Sequence, residues 1–337
     1  MSEANFYLLL KNIEIHQANA ISGPLTYGFP AISGFIGAIH RLNRTLQSDY
    51  PDIALDGVLI ACNHYTLQTY RHHQYADYTF KQSRNPIKKD GSSSSFIAEG
   101  KIDLNVSLVI EVITSGELQD DLADDEKANK FVENIEQLIQ QQRIAGGYVL
   151  NSPKAKLFSL AEGETILKNL QPAFILMDAQ LQLAAITKEL QTGFKHQIHN
   201  NQVQLVQDEN QQPVLSHYPA NPEATELDAL LEIACLHHIP TQQQNSVKWT
   251  IKSAKQDRGW LVPIPIGYQG IYPPFNAGEM LNSRAPQYPH QYVETIYSLG
   301  QWVFPYRLQQ QFEHCFWRYS NPQDNLYLYL YTQGESK

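Results

Sequence analysis

Two pairs of adjacent histidines, His72–His73 and His237–His238, are the residues best suited to metal chemistry, and Cys235 closely precedes the second pair. A structural zinc site needs four ligands, which usually come from short-spaced pairs of cysteine or histidine. No CxxC pair, HxxxH pair or carboxylate triad in the sequence completes either histidine pair. We therefore expect no metal site and no cofactor, and we place these imidazoles on the protein surface.

The sequence also lacks the short motifs of common catalytic sites. It contains no Gly-x-Ser-x-Gly nucleophile elbow, Walker loop or dinucleotide fingerprint. His314 and Cys315 are expected to pack in the core beside Phe316 and Trp317. We therefore predict that the chain is not an enzyme. A metal-independent RNA cleavage site is the main enzymatic alternative, since it needs only a histidine, tyrosine or lysine near a 2′-hydroxyl.

The stretch from Ser22 to Leu42, SGPLTYGFPAISGFIGAIHRL, combines a glycine-rich entry with an amphipathic helix. Gly34 and Gly37 lie in the first turns of that helix, where a glycine costs about 1 kcal/mol relative to alanine. We attribute both glycines to close packing of the helix on a sheet. The loop before the helix is expected to gather free backbone N–H groups for a phosphate, with Tyr27 and Phe29 as surfaces for stacking bases.

The charge of the chain is unevenly distributed. The net charge of −9 argues against a generic nucleic-acid-binding protein, which is usually basic. However, residues 81–101 carry five cations against two carboxylates, and residues 248–258 carry four cations against one carboxylate. Residues 117–136 carry eight carboxylates against two lysines. An acidic body with two basic strips is compatible with a local site for a polyanion.

The first half of the chain is predicted to follow the order strand, helix, strand, strand, helix, strand. Apolar patterns place these elements at 6–16, 31–46, 57–71, the two arms of a hairpin at about 77–112, 124–143 and 145–150. This is the order of the ferredoxin-like fold, which the RNA recognition motif also uses. The tip of the hairpin is rich in serine and lysine and cannot pack in a core, so the hairpin is expected to protrude.

The chain is therefore interpreted as an α+β protein with three parts. Residues 1–175 are predicted to form a core like the RNA recognition motif, residues 176–246 a helical insertion, and residues 247–337 a C-terminal part that returns to the core. Two helical faces, joined by a glutamine- and asparagine-rich connector at 199–212, predict the insertion. The prolines of 259–271 place that segment at a sheet edge or in a loop, and a last helix is expected at 292–302.

Three features of the sequence bear on cellular location: the length of its apolar runs, its first residues and its cysteines. No run approaches the roughly 20 apolar residues of a membrane span, and the first residues lack the basic-then-apolar order of a signal peptide. The three cysteines are far apart, which suits a reducing compartment. We expect a cytoplasmic protein without a membrane partner.

Five blocks of the sequence resemble those of a known family. ANAISGPLTYGFPAISGFIGAIHRL, SRNPIKKDGSSSSFIAEGKIDLNVSL, RIAGGYVL, GWLVPIPIGYQGI and VETIYSLGQWVFPYRL are similar, in this order, to the blocks of the Csy-two family. This family is the Cas-five-type subunit of the type I-F CRISPR–Cas surveillance complex, also called Cascade or the Csy complex. Tyr27 stands where that family often has a tryptophan, which leaves base stacking plausible and its geometry open.

The resemblance implies a non-catalytic, RNA-binding role with a protruding thumb. Such a subunit pairs with the large subunit, caps the backbone of repeated subunits and holds the 5′ handle of the CRISPR RNA for antiviral defence. The hairpin is the natural thumb, whose tip would interrupt pairing between guide and target DNA. The residues implied in contacts with RNA or the adjacent backbone subunit are Asn19, Ser22, Tyr27 and Gly28 in the loop, Arg84, Asn85, Lys88, Lys89 and Lys101 in the hairpin, and Arg258 and Trp260 nearby.

Two alternatives are implied by relatives of the family. Some Cas-five-type proteins cut the repeat RNA themselves, which would make the chain a metal-independent endoribonuclease. In a variant type I-F system without a large subunit, the Cas-five-type subunit itself reads the protospacer-adjacent motif of the target DNA through its helical insertion. The polar residues available for that contact are Asn201, Gln202, Gln204 and Gln207, which suit a disordered connector equally well.

Overall fold

A computed structural model describes residues 4–243, 246–308 and 312–331 of the 337-residue chain. The chain divides into two compact units. The first unit consists of residues 1–175, 265–296 and 304–337, and the second of residues 176–264 and 297–303. Each unit is described by itself below.

The described residues form strands and helices in a mixed order, which confirms the α+β class. The strands are β1 (Phe6–Asn19), β2 (Ile21–Gly23), β3 (Thr26–Tyr27), β4 (Ile53–Leu67), β5 (Thr69–Tyr70), β6 (Thr79–Phe80), β7 (Gln82–Arg84), β8 (Phe96–Ala98), β9 (Lys101–Thr114), β10 (Arg143–Ile144), β11 (Gly147–Val149), β12 (Lys154–Ser159), β13 (Phe174–Asp178), β14 (His196–His199), β15 (Gln202–Leu205), β16 (His237–Gln243), β17 (Ser246–Lys252), β18 (Trp260–Gly270), β19 (Val293–Val303), β20 (Arg318–Gln323) and β21 (Leu326–Leu330). The helices are α1 (Ile32–Leu46), α2 (Glu117–Ala123), α3 (Asp125–Gln140), α4 (Gly163–Leu170), α5 (Gln180–Thr192) and α6 (Glu226–Glu232).

The sheet of the first unit is built around three long antiparallel strands. β9 lies between β1 and β4 and pairs with both, with Leu108 opposite Leu10 on one side and Ile60 on the other. β12 and β11 pair with the other edge of β1, and β13 pairs with β4 through Phe174 and Ile175. The strand order is therefore β12, β1, β9, β4, β13, with a helix between β1 and β4 and helices between β9 and β12.

Burial along β9 explains why the hydropathy pattern of its sequence changes from alternating to mostly apolar. Its first residues alternate, with Ile102, Leu104 and Val106 buried between less buried neighbours. The following run, from Ser107 to Val112, is buried on both faces. A strand that faces solvent on one side needs alternation, whereas a strand covered on both faces needs a continuous apolar run.

The predicted helical faces of the first unit are confirmed. α1 buries Ile32, Phe35, Ile39 and Leu42, which recur at helical spacing. α3 buries its own stripe of Phe131, Ile135 and Ile139. α1 contacts β4 and α3 contacts β12, so both helices pack on strands of this sheet.

The two glycines in α1 have different roles. A Cβ added to Gly34 would lie 2.9 Å from the Cα of Ala145. The backbones of these residues are also hydrogen-bonded, since the Ala145 N–H donates to the Gly34 carbonyl at 3.2 Å. A Cβ on Gly37 would meet nothing within 4 Å. Close packing therefore explains Gly34 and does not explain Gly37.

A buried ion pair joins the C-terminal strands to the centre of the sheet. Arg318 donates through Nε to Glu111 Oε2 at 2.7 Å and through Nη2 to Oε1. The Gly57 N–H donates to the same Oε2 at 3.2 Å, and a Cβ on Gly57 would lie 2.1 Å from it. Both charges are mostly shielded from water, so each depends on the other for its solvation.

The second unit has its own apolar core. Leu183 and Ile186 of α5 and Ala229 and Ile233 of the α6 region pack with Leu261 and neighbouring apolar residues. Two hairpins accompany these helices, β14 with β15 and β16 with β17. The connector predicted at 199–212 therefore contains a strand, and Gln202 and Gln204 belong to β15 while Asn201 lies in its turn.

The prediction of a last helix at 292–302 is wrong, because this segment is strand β19. Over so short a run, its apolar residues fit both the helical and the strand period. The backbone at Gly300 is closely packed in the strand. A Cβ there would lie 2.9 Å from the Ile264 side chain, so the backbone runs close to β18. β18 contains Pro263 and Pro265, and its pairing with β21 covers Gly267–Gln269, beyond both prolines.

Replacing Gly34 and Gly37 separately with alanine tests the packing of α1. Gly34→Ala forces a methyl group against the Ala145 backbone and should lower the free energy of unfolding by about 1–3 kcal/mol. Gly37→Ala is the matched control, and it should raise that free energy by up to about 1 kcal/mol because it only removes a helix-interior glycine. Urea denaturation measures both changes, and equal effects of the two variants would contradict the assigned role of Gly34.

Candidate nucleic-acid interface

The loop between β1 and α1, residues 19–29, is shaped by its own hydrogen bonds. The Asn19 side chain donates to the Ile21 carbonyl at 3.0 Å and accepts from the Ile21 N–H at 3.2 Å. The Ser22 hydroxyl lies 2.8 Å from the Thr26 hydroxyl. Tyr27 is 66% exposed, so its ring is available to a partner. We call residues 19–29 the N-terminal loop.

The expected cluster of free N–H groups is not found at four positions of this loop. The N–H groups of Asn19, Ala20 and Gly28 donate to backbone carbonyls at 2.8–3.0 Å, and that of Ile21 donates to the Asn19 side chain. Gly28 has a φ of 122°, which only glycine adopts without strain. The glycine-rich entry thus folds the loop onto the core instead of offering these amides to a phosphate.

The predicted hairpin is shorter than the expected 77–112, because residues 101–112 belong to β9 of the main sheet, and it carries the predicted polar tip. β7 pairs with β8 through Gln82 opposite Ala98 and Arg84 opposite Phe96, and residues 85–95 form the tip. We call residues 82–98 the hairpin. All of its side chains are exposed or only partly buried. A two-stranded ribbon is at best marginally stable alone, so this hairpin depends on its attachment and on any partner.

The tip of the hairpin is folded into a turn that displays two lysines. The Lys88 N–H donates to the Ser92 carbonyl and the Gly91 N–H to the Lys88 carbonyl, both at 3.0 Å. The side chains of Lys88 and Lys89 are exposed. Hydrogen bonds from the Ser92 hydroxyl and N–H lower the pKa of Asp90. That carboxylate is therefore committed to the turn and does not bind either lysine in the described residues.

The other predicted hairpin residues have individual environments. The Arg84 guanidinium carbon lies 3.9 Å from the centre of the Phe96 ring, an arrangement that orients the cation by cation–π attraction. The backbone carbonyl of Asn85 accepts from the Ser94 hydroxyl at 2.6 Å. Lys101 forms a partly exposed ion pair with Glu99, 3.2 Å away.

The N-terminal loop and the base of the hairpin are joined at Gly100. The Ala20 N–H donates to the Gly100 carbonyl at 3.0 Å, and a Cβ on Gly100 would lie 2.8 Å from the Ile21 side chain. The Tyr27 ring meets the Phe80 ring edge-on, with 5.4 Å between their centres. These contacts join the N-terminal loop to Phe80 and Gly100, which flank the hairpin in the sequence.

The third group, Arg258 and Trp260, belongs to the second unit. The Arg258 guanidinium donates to Glu189 and to the carbonyls of Ala254 and His196, and its side chain is only 13% exposed. This corrects the expectation that Arg258 contacts RNA, because its guanidinium is used in an ion pair with Glu189 inside the second unit. Trp260 is about half exposed, and its ring centre lies 6.3 Å from that of Trp302.

An aromatic segment near the hairpin base was missed in the sequence analysis. Tyr70, Tyr75 and Tyr78 are exposed, and the Arg71 guanidinium carbon lies 4.6 Å from the centre of the Tyr78 ring. The Gln68 N–H donates to the Lys101 carbonyl and holds this segment against the start of β9. The interleaving of aromatic and basic residues in QTYRHHQYADYTFK was the available signal.

The buried cysteines of the first unit are not arranged as nucleophiles. Cys62 and Cys315 are buried, and burial raises the pKa of each thiol to about 12, so neither forms a thiolate near neutral pH. Cys315, Phe316 and Trp317 are core residues, as expected, but His314 is exposed, so its prediction as a core residue is wrong. The part of the chain that the structure describes contains no cluster of three metal-ligating side chains and no helix with the length and hydropathy for a membrane span.

Comparisons with known proteins match nearly the whole chain. Residues 8–329 match the profile of a family described as CRISPR-associated protein (Cas_Csy2). The chain belongs to the Csy2 family. It is also 29% identical, over 339 aligned residues, to the CRISPR-associated protein Csy2 of Pseudomonas aeruginosa strain UCBPP-PA14, covering 95% of this chain and 93% of that relative. Membership of this family makes the chain a subunit of the type I-F CRISPR surveillance complex.

Gly100→Ala tests the junction between the N-terminal loop and the hairpin. The added methyl group must displace Ile21 or Phe80, which weakens the bond from the Ala20 N–H to the Gly100 carbonyl. We expect exchange of the Ala20 amide to accelerate by about tenfold, the effect of weakening one hydrogen bond. Hydrogen exchange measures this rate, with Gly37→Ala as a control that should leave it unchanged. Unaltered exchange in Gly100→Ala would contradict the junction.

Proposed function

We propose that this chain is a non-catalytic RNA-binding subunit that holds the 5′ handle of the CRISPR RNA in a type I-F surveillance complex. The N-terminal loop and the hairpin form the RNA-binding surface. Asn19, Ser22 and Gly28 fix the loop, and Tyr27 stacks on a base. The cations of this surface are Arg84, Lys88 and Lys89 in the hairpin and Lys101 at the start of β9, and Asn85 follows Arg84 in the hairpin.

The observation that carries this proposal is the junction at Gly100. It links an exposed tyrosine to a ribbon whose segment 81–101 has five cations against two carboxylates, in a chain of net charge −9. The Arg84 guanidinium makes no hydrogen bond within the described residues and is oriented by Phe96. Single-stranded RNA is bound by such pairing of aromatic faces with cations along the backbone.

The sheet supports an RNA-recognition-motif-like interpretation of the first unit. Its elements run β1, α1, β4, β9, α3, β12, and the antiparallel order β12, β1, β9, β4 is the one that a β-α-β-β-α-β chain adopts in ferredoxin-like folds. We propose that this sheet carries the hairpin as a thumb. The thumb has exposed apolar side chains, Ile87 and Phe96, which suit contact with the adjacent backbone subunit.

The remaining partners are proposed from charge and from the family. The acidic segment at 117–136 is exposed over much of its length and can meet a basic protein surface, which we propose for the large subunit. Target DNA then contacts the assembled complex, and this chain contributes to that binding through the RNA it holds. We propose that the complex acts in the cytoplasm.

Replacing Arg84, Lys88 and Lys89 together with alanine tests the RNA-binding role. Each lost phosphate contact removes about 0.7 from the slope of log affinity against log salt, so the slope should fall by about 2. Assembly with CRISPR RNA, followed by anisotropy across a salt series, measures this change. The matched control replaces Lys130, Lys154 and Lys168, three exposed lysines elsewhere, and should leave the slope unchanged. Equal slopes for the two triple variants would refute the assignment.

A second candidate function, metal-independent cleavage of repeat RNA, is favoured by one arrangement on β1. The His16 Nε2 lies 3.4 Å from Asp103 Oδ1, and His16 is directly opposite Tyr148 of β11. The Arg143 guanidinium carbon lies 4.3 Å from the centre of the Tyr148 ring. A carboxylate-paired imidazole beside a tyrosine is able to act in general acid–base catalysis.

Incubating the purified chain with repeat RNA in a chelator separates the two functions. The non-catalytic proposal predicts intact RNA with both the wild-type chain and His16→Ala. Cleavage at one position that disappears in His16→Ala, and persists in the surface control His40→Ala, would establish the second function instead. Gel analysis of end-labelled RNA reads the outcome.

A further inference from the structure

A cavity of about 600 Å³ lies within the second unit. Its walls come from α5, from the β14–β15 hairpin, from residues 215–217 and from residues 252–258. This volume lies in the range of small-molecule sites in proteins, about 300–1,000 Å³. The cavity is lined by other residues than the loop and hairpin residues proposed above to bind RNA.

The floor of the cavity is held by a buried ion pair. Glu189 accepts from the Ser216 hydroxyl on Oε1 and from Arg258 on Oε2, and its side chain is only 3% exposed. Arg258 also donates to the His196 carbonyl at 3.0 Å. These bonds tie together four segments of the wall, so the cavity is pre-formed, and both charges of the pair are already satisfied.

Two residues of the wall hold a buried polar atom without a partner. Gln182 Oε1 and His217 Nε2 accept or donate no hydrogen bond among the described residues. Both atoms are closed off from the cavity as well as from bulk water, so neither contacts an occupant.

The charges and apolar groups of the wall narrow the chemistry of the occupant. Lys195 and Lys252 line the cavity and, with Arg258, outnumber its carboxylates, Glu189 and Asp257. A divalent cation is disfavoured there, whereas a phosphate is favoured. One part of the wall is aliphatic, formed by Ile198, Val206 and Leu215. A phosphate alone would leave that part unused.

We propose that this cavity binds a nucleoside phosphate. Its phosphate binds Lys195 and Lys252, and its base lies against the aliphatic side chains Ile198, Val206 and Leu215. The ligand is either a free nucleotide or one nucleotide of a bound strand, since both present the same groups. The site goes beyond the proposed RNA-handle function and does not depend on it.

The test is calorimetric titration of the purified, nucleic-acid-free full-length chain with AMP, GMP, CMP or UMP, and separately with adenosine and inorganic phosphate. We expect saturable binding of at least one nucleotide, and affinity about tenfold lower for adenosine and for phosphate, because each lacks half of the contacts. Lys195→Ala with Lys252→Ala should lower nucleotide affinity by at least about tenfold. Lys188→Ala, on the exposed side of α5, is the matched control and should bind as the wild type does.

Competition then distinguishes the two sources of the ligand. A short 5′-phosphorylated oligonucleotide that displaces the nucleotide indicates a strand as the source, and failure to displace indicates a free nucleotide. Absence of saturable binding by all four nucleotides would overturn the proposal. So would equal binding of inorganic phosphate, or full affinity in the double lysine variant with unchanged circular dichroism. The hairpin variants Arg84→Ala and Lys88→Ala should bind the nucleotide normally, so this test and that of the RNA-handle function fail independently.

Discussion

The attachment at Gly100 is the contact on which the proposed RNA-binding surface depends. The hairpin has no fully buried side chain, so its position is set by the contacts made at the point where it leaves the sheet. At that point the Gly100 carbonyl accepts from the Ala20 N–H, and the absence of a side chain lets Ile21 approach. These short-range contacts place the N-terminal loop beside the two segments that lead into and out of the hairpin.

Electrostatics explains how an acidic chain can still bind a polyanion. Beyond about 10 Å the field of exposed charges is largely screened at physiological ionic strength. The carboxylates at 117–136 therefore need not oppose a phosphate at the hairpin tip, and the cations nearest to it dominate. In the second unit, the charge of Arg258 is neutralised by Glu189 and contributes little to any external field.

The sequence predicted those parts of the structure that local pattern decides. Helix α1 is predicted by its apolar stripe, Ile32, Phe35, Ile39 and Leu42. The hairpin is predicted by a serine- and lysine-rich tip between alternating strands. Residues 292–302 were predicted as a helix because eleven residues of apolar spacing fit both periods. Residues 293–303 form strand β19 instead, and Gly300 of this strand packs against Leu176 and Ile264, contacts that no local signal reveals. The environment of Arg258 depends on Glu189, 69 residues away, and no local signal reveals such a partner. The candidate loop residues were predicted from their residue types. The hydrogen bonds of the loop, however, depend on tertiary contacts with Gly100 and Ala145.

The most direct measurement is zero-length ultraviolet crosslinking of the CRISPR RNA in the purified surveillance complex, followed by mass spectrometry of the crosslinked peptides. The account predicts that nucleotides of the 5′ handle crosslink to peptides containing residues 19–29 and 82–101 of this chain, with Tyr27 among the modified side chains. Handle crosslinks confined to other surfaces of the chain, in a complex that retains its RNA, would contradict it.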